Sequence, residues 1–167
     1  MNEVDDSLGL KRAENTHIVQ QSLPRMLLEL VFWINLFCSC FMTGLIWYVQ
    51  LVQYPSFSKV NENDFQEYLN FHSNQTDIIV KPVMSIEFAT SGVLMWFATP
   101  LLSLQSLGFV LVLLIWIFTF IFSVPIHYQL EEQGNDIKLV SRLVQTNWLR
   151  TLLWSIKAIT SMYLLYQ

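Results

Sequence analysis

The chain has 167 residues, 53% of them hydrophobic and only 13% charged, with a formal net charge of −4. Soluble domains carry about 25% charged residues, so the composition argues against an ordinary soluble fold. The acidic balance argues against a nucleic-acid binder, which needs clustered Lys and Arg.

Residues 1–24 read as a polar N-terminal tail with a short surface helix near 17–21, closed by Pro24. No basic start and short apolar core mark a signal peptide. Four apolar segments come next, at about 26–52, 78–98, 107–124 and 149–166. Each reaches or approaches the roughly 17–25 residues that cross a hydrocarbon core. The expected fold is an all-α membrane protein. Residues 25–167 form one four-helix transmembrane bundle, with short amphipathic helices in the two long connections and the lipid bilayer as partner.

In the first span Asn35, Ser39, Thr43 and Trp47 recur every four residues, a stripe suited to close helix packing. Cys38 and Cys40 point in different directions on a helix, and their spacing fits neither a disulfide nor a metal or redox motif. Trp47, Tyr48, Gln50, Gln53 and Tyr54 mark a water interface, and Pro55 ends the helix. The connection 56–77 predicts an amphipathic helix opening at Asn63-x-x-Gln66. Asn74-Gln75-Thr76 matches a glycosylation sequon.

The second span, starting near Pro82, carries Glu87 about 8 Å in at 1.5 Å per residue. A carboxylate at that depth faces protein, with Arg150 or Lys157 as its candidate cation. Pro100 ends this helix. After the uncharged third span, Pro125 predicts a kink or a new helical piece. Gly134 predicts its C-terminal cap, and 135–144 reads as another amphipathic helix. In the fourth span Asn147, Arg150, Thr151, Trp154, Lys157 and Ser161 fall along one side, an inner polar edge. The Lys/Arg balance is nearly tied between the two sides and leans towards a cytoplasmic N-terminus.

This topology gathers the special residues at one end. Glu87, His127 and Arg150 are the candidate catalytic residues, as acid/base, proton shuttle and anion holder. Tyr54, His72, Lys81, Asn147 and Lys157 are the candidate substrate-binding residues. Three readings fit such a polar mouth. In the first, a Glu/Arg/Lys network only stabilises a non-enzymatic membrane module. In the second, the mouth is a small-molecule site with oxidative chemistry, where His72 or His127 acts as acid/base and Arg150 or Lys157 holds an anionic intermediate. In the third, His72 and His127 bind a metal or haem, with Glu87 as a further ligand; no cofactor is identified by any local motif.

Val124-Pro125-Ile126-His127 with Leu130, then Asn147-Trp148-Leu149-Arg150, resemble the second half of the anthrone-oxygenase-like family of small four-helix membrane proteins. The family often has Asn where this chain has His127. The resemblance implies oxygen-dependent oxidation of anthrones to anthraquinones without an obvious metal motif. It makes Pro125, His127, Asn147 and Arg150 the shared positions.

Overall fold

A computed structural model of the chain describes the backbone of residues 2–98 and 103–166 and, within these, the side chains from residue 25 onwards. Helix α1 runs Asn2–Tyr48, passes through a π-helical turn at Val49–Gln53, and ends in the short α2, Tyr54–Phe57. Helix α3 is Phe65–Trp96, and α4 is Leu104–Phe118. A second π-helical turn, Thr119–Ser123, leads into α5, Val124–Gln133, and α6 spans Ile137–Tyr163 before a final 3-10 turn. No strand occurs among the described residues.

Four long helical rods pack in a ring: α1 against α3 and α6, and α4 against α3 and α6. Three of them, 25–57, 65–96 and 104–133, are long and apolar enough to cross a membrane. The fourth rod, α6, holds Lys138, Arg142, Arg150 and Lys157 and is less apolar. Large apolar side chains such as Trp33, Phe37, Ile79, Phe120 and Ile159 point outward, while Asn35, Ser39, Glu87, Asn147, Arg150 and Lys157 are buried. A surface of apolar groups around a polar interior suits a protein solvated by lipid.

Several expected boundaries need correcting. Residues 2–24 continue α1 as helix instead of forming a tail with a separate helix at 17–21. The long connections collapse into short turns at 58–64 and 134–136, because α3 begins at Phe65 and α6 at Ile137. The amphipathic pieces are therefore the outer turns of the long helices. Asp64, not Asn63, is the residue before α3. Pro82 sits inside α3 instead of starting it; a proline in such a helix is tolerated where neighbouring helices re-satisfy the freed backbone. Pro100, expected to end this helix, falls outside the described residues.

Both π-helical turns lead into an X-Pro step, Tyr54-Pro55 and Val124-Pro125. In an α-helix the proline ring collides with the carbonyl four residues earlier and removes a donor. A π turn admits one extra residue and widens the coil there. The register shift is visible in the backbone: Tyr54 N–H donates to Val49 O, and Val124 N–H to Thr119 O. Pro55 is thus accommodated within a helical segment that ends only after Phe57. Gly134 caps α5 with φ 80°, a conformation that favours glycine. Beyond the π turns, Phe57, Phe65, Leu69, Leu130 and Leu143 form a fully buried apolar plug across α2, α3, α5 and α6.

Candidate functional site

The sequence-predicted residues separate into a buried polar centre and a cavity. The first lies within the ring of helices. Glu87, 1% exposed, accepts from Ser39 Oγ at 2.8 Å and from Trp154 Nε1 at 3.0 Å. Lys157, 2% exposed, donates to Asn35 Oδ1 at 2.8 Å, Ser39 Oγ at 3.0 Å and Ser161 Oγ at 2.8 Å. Asn35 Nδ2 in turn donates to Ser91 Oγ and Thr90 Oγ1, both at 2.8 Å. Gly108 on α4 leaves room for the lysine stem: a Cβ there would meet Lys157 Cε at 3.4 Å. The carboxylate and the ammonium are joined through the Ser39 hydroxyl, not by direct contact.

The second is a cavity of about 360 Å³ at the end where the π turns lie, within the roughly 300–1,000 Å³ typical of small-molecule sites. Met42, Leu45, Ile46 and Val49 line one wall, and His72, Thr76 and Val80 of α3 another. Thr119, Phe120 and Ser123 of the second π turn, His127 of α5 and Arg150 of α6 complete it. Tyr54 Oη lies 3.2 Å from His127 Nε2. The rings of His72 and His127 are stacked with centroids 6.3 Å apart at 20°, and Thr76 Oγ1 lies 3.3 Å from His72 Nδ1. His127 Nδ1 is buried without a hydrogen-bond partner. Lys81 and Asp77 pair on the exposed rim.

The π turns place these groups. Along an uninterrupted α-helix, residues beyond position 49 would be rotated by about 100° per residue lost. The added residue in each turn brings Tyr54 and His127 to the same interior line. Arg150 ties the turns together. Its Nη1 donates to Ser123 Oγ in the second π turn at 3.0 Å and to Asn147 Oδ1 at 3.1 Å. Asn147 Nδ2 donates to Gln50 Oε1 in the first π turn at 2.9 Å.

The expectation of one mouth shared by Glu87, His127 and Arg150 is therefore corrected. Tyr54, His72, Lys81, His127 and Arg150 line the cavity; Glu87, Asn147 and Lys157 do not. Along α3, Glu87 stands fifteen positions beyond His72, about 22 Å at 1.5 Å per residue. Both its oxygens are engaged, and the titratable groups that meet inside the cavity are Tyr54, His72 and His127. Nor does Glu87 pair with Arg150. Trp154 stands between them, with the Arg150 guanidinium carbon 5.3 Å from its ring centroid and its indole N–H on Glu87.

Gln50, Ser123 and Trp154 also take part in these hydrogen-bond networks, although the sequence does not mark them as site residues. Aromatic neighbours suggest a water-interface position for Gln50, yet it is buried, because the π turn rotates it inward. Among the described residues no group of three His, Cys, Asp or Glu is arranged to hold a metal ion. Asn74 of the sequon is exposed but lies in regular helix, with Thr76 beside His72. Comparison with known proteins finds no family model, no curated relative and no solved structure that matches this chain.

Proposed function

We propose that this protein is a four-span helical membrane protein, with α6 as the fourth crossing and a cytoplasmic N-terminus. Its end cavity binds an apolar, ring-bearing small molecule and acts on it by proton transfer. The observation that carries this reading is the Tyr54–His127 contact at 3.2 Å inside a largely apolar cavity. A phenol and an imidazole in hydrogen-bond contact can pass a proton between a substrate and each other. His72, stacked on His127, orients it. The apolar walls formed by α1, α3 and the second π turn suit a flat hydrocarbon body.

The resemblance to anthrone oxygenases supplies the reaction. His127 removes a proton from the activated ring methylene, and dioxygen is the oxidant. The methylene loses two hydrogens, one oxygen atom becomes the new quinone carbonyl, and the other leaves as water. Oxygen uptake with anthrone by protein in lipid nanodiscs tests this: wild type is expected to exceed empty discs, and His127→Phe to fall to the empty-disc rate. Equal uptake in all three rejects the reaction. The Asn35–Ser39–Glu87–Lys157–Ser161 centre favours a second, non-catalytic role for that part of the chain. Its groups bond one another and hold α1, α3 and α6 together.

A further inference from the structure

Arg150 is 6% exposed and lies in the cavity wall. Everything around its charge is neutral. Ser123 Oγ and Asn147 Oδ1 accept from Nη1, the Trp154 ring lies against the guanidinium, and Tyr54 shares the cavity lining with it. Among the described residues the only ion pair within 4.0 Å is Lys81–Asp77 on the rim, so neither Asp77 nor Glu131, the two carboxylates of the cavity, neutralises Arg150. Both hydrogen bonds recorded for the guanidinium leave from Nη1, and the buried Nε has no partner at all. Cations buried in membrane helices are held against a counter-charge or a water-filled cavity, and a buried unpaired N–H is costly.

The geometry points to Arg150 as the recognition point for an ionised carboxylate carried by the cavity's ligand, with the ligand's apolar body lying along Ile46, Val80 and Phe120. Arg150 lines the cavity, so a carboxylate bound there would meet the guanidinium and supply its missing counter-charge through a charge-assisted contact. A dianionic phosphate would be only half compensated, since Lys81 is already paired and Glu131 adds negative charge. This inference rests on the proposed cavity function and narrows it to acidic, ring-bearing amphiphiles.

The test is a matched pair of probes, anthracene-9-carboxylate and 9-anthracenemethanol, titrated against protein in zwitterionic nanodiscs with empty discs as the partition control. Wild type is expected to favour the carboxylate by about tenfold or more, the scale of one charged hydrogen-bonded contact. Arg150→Gln should lose that preference while still binding the alcohol, and Lys138→Gln, an exposed cation outside the cavity lining, should keep it. Arg150→Lys keeps the charge but not the planar guanidinium and should reduce the preference without abolishing it, which covers the case in which Arg150→Gln does not fold. Equal affinity for both probes in wild type, or an unchanged preference in either Arg150 variant, overturns the assignment and leaves the cavity reading standing. Binding of neither probe overturns both. Displacement of the carboxylate by phosphatidylglycerol in the discs would assign the site to a lipid phosphate instead and also overturn it.

Discussion

Tyr54 Oη and His127 Nε2 lie 3.2 Å apart although 73 positions separate the two residues. The contact exists because each residue comes directly after, or within one helical turn of, a π-helical turn that precedes a proline. If the pair works as a unit, its two members are energetically coupled. Tyr54→Phe should cost about 0.5–1.5 kcal/mol of stability, and in a double-mutant cycle with His127→Phe the losses should not add. Thermal unfolding in detergent measures the cycle; strictly additive losses would mean the contact contributes nothing.

Deleting one residue from a π turn restores α-helical register and rotates the downstream residues by about 100°. Leu51 is the natural choice, since it faces outward in the first π turn. The deletion should retain helical content by circular dichroism and lose ligand binding, because Tyr54 no longer faces the cavity on the same side as Val49. Unimpaired binding would show that the π turn is incidental.

The buried carboxylate and ammonium predict a different pattern of coupling. Glu87→Gln and Lys157→Met each disturb a network that meets at Ser39. Their coupling should fall within roughly 0.5–3 kcal/mol, as for residues in one hydrogen-bonded network. Glu87→Gln with Arg150→Gln should couple more weakly, since only Trp154 connects them. The reverse order, measured by unfolding of the single and double variants, would restore a Glu87–Arg150 pair.

Two glycines separate packing from propensity. Gly108→Val places methyl groups where Lys157 Cε already stands 3.4 Å from a simple Cβ, and such overpacking costs about 1–3 kcal/mol. Gly44 has nothing within 4 Å of an added Cβ, so Gly44→Ala should be neutral or stabilising by up to about 1 kcal/mol. Comparable destabilisation of both variants would contradict this helix packing.

Much of the interior is legible from spacing alone. The four-residue stripe in α1 is an interhelical seam: Asn35 reaches α3, Ser39 reaches Glu87, Thr43 donates to Trp154 O, and Trp47 donates to Ser155 Oγ. All six residues of the predicted inner edge of α6 are buried. Such stripes are readable because polar groups in apolar helices have few places to go. Boundaries and registers are not. Helices outrun the apolar segments, since hydropathy reports where lipid would lie and not where backbone hydrogen bonding stops. The π turns carry no composition signal beyond the proline after each, so the inward placement of Gln50 is invisible in the sequence. Membership of one site is hidden for a related reason: a shared end of the chain's topology does not fix depth, and Glu87 lies well below His72.

The central claim is that the end cavity is where a small molecule binds, and a cavity-filling variant tests it most directly. Val80 lines the cavity beside His72 and Thr76, and Val80→Trp would occupy its apolar part. Equilibrium binding of anthrone to reconstituted wild type is expected to saturate at a single site, and Val80→Trp, with helical content intact, to bind about tenfold more weakly or worse, the loss expected from an overpacked site. Equal affinity of the two proteins would contradict the claim.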